Sequence, residues 1–131
     1  MRHIDHKLET ELKRGILQIA VLSLLREARY GYQLGRMLAD RGLSVEEGTL
    51  YPILRRMEEQ GLLEARWVTE QARPRKYYRT TPDGEESLRA ILEVWERVNG
   101  GLREILEGAP PGEAGSRDGE GSTQEGAVDA Q

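Results

Sequence analysis

The stretch EEGTLYPILRRMEEQ, residues 46–60, has the spacing of an amphipathic helix and a proline in its middle. Leu50, Ile53, Leu54 and Met57 fall on one stripe of a helical wheel. Gly48, Pro52, Arg55, Arg56 and Glu59 point the other way, with Tyr51 on the boundary. A proline inside a helix removes a donor and crowds the preceding turn, at a cost of about 3 kcal/mol. At a helix entrance the cost is small, because the first N–H groups have no internal acceptor. The spacing therefore predicts a helix that begins between Glu47 and Thr49, or one with a slight kink at Pro52. Two arginines on its exposed face suit phosphates or guanine edges, since guanidinium offers a bidentate fork. On this helix alone, pairing of Arg55 and Arg56 with Glu58 or Glu59 explains them equally well.

Upstream, Leu8, Leu12, Ile16, Ile19, Ala20 and Leu24 keep helical spacing from about Leu8 to Glu27. Leu17, Val21, Leu22 and Leu25 make the second half of this helix apolar nearly all round, which suits a central element or a dimer contact. RYGYQLGRMLADRG (29–42) follows, with Leu34, Met37 and Leu38 on one face and Gly42 as a stop.

Downstream of Gly61 the pattern turns to strands. LLEARWVTE and RKYYRTT carry Trp, Val, Thr and paired Tyr around a short QARP connector. Between residues 66 and 79 the basic groups are Arg66, Arg73, Arg75, Lys76 and Arg79, against Glu70 alone. A basic hairpin beside an arginine-bearing helix is an electrostatic footprint for a phosphate backbone. Trp67, on a strand next to the helices, is expected in the core.

Thr81-Pro82 opens a last helix, with Thr as cap and Asp83, Glu85 and Glu86 in the first turn. Its apolar residues repeat every seven positions. Leu88, Trp95 and Leu102 hold one heptad position; Ile91, Val98 and Ile105 hold its partner. Such a seam predicts helix-to-helix pairing and a dimer interface. Gly100-Gly101 is a weak point at about 1 kcal/mol per glycine relative to alanine, but the heptad stays in register across it.

The order is thus α-α-α-β-β-α, mainly helical with a small β-hairpin: a winged helix-turn-helix with a C-terminal dimerisation helix. Residues 1–81 make the DNA-binding domain with its N-terminal helix and 82–107 the dimerisation helix. Residues 108–131, rich in Gly, Pro, Ser and Glu, read as a disordered acidic tail. The formal net charge of −4 belongs to that tail, and residues 1–108 carry 18 basic and 18 acidic groups. A neutral body does not exclude nucleic acid, because a local basic face is what matters.

YGYQL (30–34), EGTLYPILRRME (47–58), GLL (61–63) and PRKYYRTTPDG (74–84) together resemble the PadR family of transcriptional regulators. The resemblance spans about residues 12 to 107, in its compact subgroup with one short final helix. It implies a homodimeric DNA-binding repressor, released by a small-molecule or stress signal, that dimerises through its last and first helices. Carried over position by position, Gly48, Thr49, Tyr51, Arg55 and Arg56 lie at the major groove of a palindromic operator. Arg73, Arg75 and Lys76 make the wing contact. Glu46 departs from the serine cap common in the family, which weakens the helix start or its phosphate contact. In drug-sensing relatives a tryptophan on the last helix resembles a stacking surface for planar aromatic effectors. Trp95 stands at that place, where filling the dimer core is the alternative.

The inventory argues against an enzyme. There is no cysteine, no GxSxG and no phosphate-binding glycine loop. His3 and His6 stand in an N-terminal arm, and no further cluster completes a metal site around HIDH. No metal or cofactor is expected. The longest nearly apolar run, ILQIAVLSLL (16–25), is too short for a membrane span, so a cytoplasmic protein is expected. The competing class is a winged-helix module that binds another protein and no specific DNA.

Overall fold

The structure is a computed structural model, and it describes residues 5–108. The acidic tail from residue 109 onward and His3 lie outside the described residues. The elements run α1 (His6–Leu24), β1 (Arg29–Tyr30), α2 (Gly31–Asp40), α3 (Glu47–Glu59), β2 (Leu63–Glu70), β3 (Arg73–Thr80) and α4 (Pro82–Glu107). By compactness the chain divides into Met1–Leu92 and Glu93–Gln131.

In the first unit, α1 starts at Asp5, whose carboxylate accepts from the Lys7 amide. Its Leu17, Val21 and Leu22, with Leu25 just beyond, are buried. They meet Leu34 and Leu38 of α2 and the α3 stripe Leu50, Ile53, Leu54 and Met57, in the positions the wheel predicts. Each such side chain contributes about 1.5–3 kcal/mol through removal from water. This shared core holds the two helices of the pair at a fixed angle.

Both helices stop in the same way. Gly42 and Gly61 adopt φ of 78° and 80°. Leu43 N donates to Leu38 O at 2.8 Å, and Leu62 N donates to Met57 O at 2.9 Å. These are Schellman stops, in which a left-handed residue lets the next amide satisfy a stranded carbonyl.

The sheet has three strands in the order β1-β3-β2, all antiparallel. The sequence reading of a two-stranded hairpin is thus extended by β1, which pairs Arg29 with Tyr78 and Tyr30 with Tyr77. Two residues carry no alternation, so no periodicity announces such a strand. The connector also shortens: only Gln71 and Ala72 lie between β2 and β3. Both have positive φ, 52° and 62°, the signature of a type I′ turn. Glu70 and Arg73 close that turn, so the next pair, Thr69 and Pro74, is a non-hydrogen-bonded one. The Pro74 nitrogen points away from β2, and β1 does not extend that far along β3.

Trp67 corrects the sequence reading: it is 66% exposed, not core. Alternation does set it on the face of Leu63 and Ala65. The buried positions of the hairpin, however, are Leu63, Tyr78 and Thr80 at its base, and the strands run on past the helices.

Thr80 ties the sheet to α1, its amide donating to Leu25 O at 2.7 Å and its hydroxyl to Leu22 O at 2.8 Å. Thr81 caps α4 as predicted, its Oγ1 accepting from Gly84 N at 3.0 Å and donating to Gly61 O at 2.7 Å. α4 then runs unbroken through Gly100 and Gly101 to Glu107. Among the proposed seam residues, Leu88 is 1% exposed and belongs to the chain's own core, against which Ile91 also packs. This corrects its assignment to a dimer surface. One face of the early helix is consumed by folding. In the second unit Trp95, Val98, Leu102 and Ile105 are exposed along the same helix.

Candidate nucleic-acid interface

α3 begins at Glu47, and its cap, Glu46, makes no side-chain hydrogen bond to the helix. The first turn is closed by backbone alone: Thr49 N and Leu50 N both donate to Glu46 O at 2.9 Å. Pro52 is therefore the sixth helical residue, past the turn where a missing N–H costs nothing. The helix start thus falls where the spacing predicts, but the low cost expected for Pro52 does not follow from it. The carbonyl of Gly48, four residues earlier, loses its helical donor instead. Gly48 is exposed, and a β-carbon there would have nothing within 4 Å.

Arg55 and Arg56 are exposed on the outer face of α3 and form no ion pair among the described residues. The reading that their charge is absorbed by Glu58 or Glu59 thus loses its support. Glu58 is engaged elsewhere: its Oε1 lies 3.2 Å from Lys76 Nζ on β3. Thr49 is half-buried, and with Gly48, Pro52 and Arg56 it lines a groove of about 190 Å³ that α1 borders through Thr10 and Arg14. Arg14 is exposed, and sequence reasoning missed it, since one arginine on a long amphipathic helix carries no signal.

Tyr51 is half-buried, and its ring end packs against Gly31 at the start of α2. Burial is the first cause that raises its phenol pKa, followed by the charge of Glu47. Its ring joins the two helices of the pair, so most of its surface faces protein.

Strand alternation sets Lys76 on the opposite face from Arg73 and Arg75. Arg73 is exposed beside the turn and forms no ion pair among the described residues. Arg75 stacks on Tyr30, its guanidinium carbon 4.4 Å from the ring centroid, with Glu70 at 3.9 Å. Tyr30 also meets Tyr77 edge to face at 5.4 Å, and the Tyr77 hydroxyl donates to Glu70 at 3.2 Å. Partial burial, then the bond to Glu70, raises the Tyr77 pKa. Lys76 rises from the opposite face, toward α3. Its pKa is raised first by the hydrogen bond to Glu58. Tyr30 and Glu58 are thus partners that the linear sequence did not reveal, because each is brought in by another element.

A helix pair with a charged outer face on its second helix, followed by a basic hairpin that belongs to a three-stranded sheet, defines the winged helix-turn-helix class of DNA-binding proteins. Residues 21–90 match the profile of the Transcriptional regulator PadR-like family. A transcriptional regulator of Mycobacterium tuberculosis is 34% identical over 96 residues, covering 70% of this chain and 90% of its own. A PadR family transcriptional regulator from Eggerthella lenta has a similar structure, with a TM-score of 0.72 and 46% identity. That match covers 77% of this chain and 90% of the other. A PadR-like regulator from Bacillus cereus is 31% identical with a TM-score of 0.65, covering 73% of this chain and 96% of its own. The chain belongs to the PadR-like family of transcriptional regulators, and it is a DNA-binding regulator and not an enzyme. No helix among the described residues is long and apolar enough to cross a membrane.

Proposed function

We propose that this protein is a cytoplasmic homodimeric repressor that binds a palindromic operator and is released by a small-molecule or stress signal. Residues 1–81 act as the DNA-binding domain and 82–107 as the dimerisation helix. The observation that carries the reading is the exposed face of α3, where Arg55 and Arg56 form no ion pair among the described residues. Gly48 and Thr49 bring the backbone of that face close to the major groove, with Tyr51 holding its angle. Arg73 and Arg75 serve the flanking phosphates from the wing.

A second copy supplies the other half-site. Support comes from apolar stripes that the chain leaves exposed: Leu8 and Leu12 on α1, and Trp95, Val98, Leu102 and Ile105 on α4. Leaving these in water forgoes about 25 cal/mol for each Å² that a partner would cover. An aromatic effector stacked on Trp95 between subunits would change the angle between the two halves. The half-sites would then no longer fit successive major grooves.

Gel retardation on the promoter of its own operon tests the reading. Specific retardation with steep salt dependence is expected. Arg55→Ala with Arg56→Ala abolishes it while sedimentation still reports a dimer. Equal, weak retardation of every sequence would instead favour the protein-binding module.

A further inference from the structure

Lys76 stands in the sequence beside Arg73 and Arg75 and has the look of a third phosphate contact. Its surroundings point elsewhere. The Nζ group is 3.2 Å from the Glu58 carboxylate on the last turn of α3, and each side chain keeps only about a third of its surface, 32% and 34%. The ammonium also lies 5.3 Å from the centre of the Tyr78 ring, a core residue of the same strand. The charge is held between the recognition helix and the root of the wing.

Neighbouring cations lack this arrangement. Arg75 projects from the other face of the sheet onto Tyr30. Arg73 sits at the turn, exposed. Along the strands Arg75 stacks on Tyr30 one residue nearer the turn, and on the side that faces α3 the pair formed by Lys76 is the polar link nearest the turn among the described residues. Its partner in register is Trp67, itself largely exposed, and beyond Trp67 the hairpin is two strands closed by a strained turn. A two-stranded hairpin has little stiffness of its own. Something at its base must set the angle at which it leaves the body.

We infer that Lys76 is a positioning residue: its ion pair with Glu58 sets the angle of the wing against α3, so that Arg73 and the α3 arginines reach one DNA duplex together. This rests on the operator reading above. Glu58 then has a constructive part in DNA binding, although it is an acid on the recognition helix. A phosphate-contact role for Lys76 requires the opposite, because Glu58 would compete with DNA for the ammonium.

The sign of the Glu58→Gln effect therefore decides. Retardation on the operator should weaken about two- to fivefold in Glu58→Gln and in Lys76→Met, the size expected of a part-exposed ion pair. The slope of log binding constant against log salt should stay at the wild-type value in both. In Arg73→Gln it should become shallower by about 0.9 for each phosphate that the variant no longer neutralises. The swapped pair Glu58→Lys with Lys76→Glu should recover most of the affinity that Lys76→Glu loses alone. Tighter binding by Glu58→Gln, or a shallower salt slope in Lys76→Met, would overturn the positioning role and leave the operator reading intact. Absence of specific retardation by the wild type would overturn the operator reading, and the positioning role with it.

Discussion

Tyr51 lays its ring against Gly31 so closely that a β-carbon added to the glycine would come 2.5 Å from the tyrosine hydroxyl and ring edge. The contact spans the helix pair at the point where α2 begins, and α3 has completed its first turn there. Gly31→Ala forces the ring outward, and overpacking of this kind costs about 1–3 kcal/mol. Urea denaturation should show that loss. Gly31→Ala in a Tyr51→Ala background should cost much less, and the difference between the two is the coupling energy of the contact.

Gly84 is a stricter case. A β-carbon there would run into the Leu62 carbonyl oxygen, which is backbone and cannot rotate away, and would come within 2.7 Å of the Thr80 methyl. Gly84→Ala should lower stability by about 2–4 kcal/mol, the range of severe single substitutions. Gly100 and Gly101 give the contrast within the same helix, since a β-carbon at either meets nothing within 4 Å. Alanine at each should raise the helicity seen by circular dichroism and add about 1 kcal/mol to the helix.

The exposed stripe on α4 leads to an assembly prediction. Trp95 is 42% exposed and Val98 59% exposed in the single chain. In a Trp67→Phe background, Trp95 is the one remaining tryptophan. Its emission should shift to the blue, and its quenching by acrylamide should fall, as concentration rises through the dimerisation range. Val98→Glu with Ile105→Glu should abolish both changes and yield a monomer by sedimentation.

The Lys76–Glu58 pair has a definite pH signature. Pairing raises the lysine above its ordinary 10.5, with the hydrogen bond to Glu58 as the main cause. A group whose folded pKa is raised stabilises the fold fully below its unfolded pKa. That contribution is lost as pH rises through the folded value. The stability advantage of the wild type over Lys76→Met should therefore be constant across the neutral range. It should shrink as pH rises above 10.5, in parallel urea titrations.

What the sequence made legible followed from repetition. The α3 stripe of Leu50, Ile53, Leu54 and Met57 is buried as its spacing requires, and Gly42, Gly61 and Thr81 mark the helix ends by their chemistry. What stayed hidden depended on where an element ends or what another element brings. Trp67 follows strand alternation correctly yet lies beyond the reach of the helices, and alternation does not report that reach. α3 starts at Glu47, within the expected range, but counting from there makes Pro52 the sixth helical residue, past the turn whose N–H groups have no acceptor. Leu88 continues a heptad by spacing but is taken by the core. Of the candidate interface, the arginines on α3 were legible as a cluster, whereas the separation of Arg75 from Lys76 by Tyr30 and Glu58 required three dimensions.

The turn between Gln71 and Ala72 bears on how firmly the wing is held. Both residues occupy a left-handed conformation that asparagine and glycine adopt readily and that glutamine and alanine resist. Such a turn is a poor nucleus, and a lone hairpin is at best marginally stable in water. The strands of the wing gain their hold only when Leu63 and Tyr78 dock on the helices and β1 adds its two residues along β3. The hold of the wing on the rest of the first unit therefore rests on those contacts. The wing's amides near residues 68–75 will exchange with solvent long before those of α1 and α3.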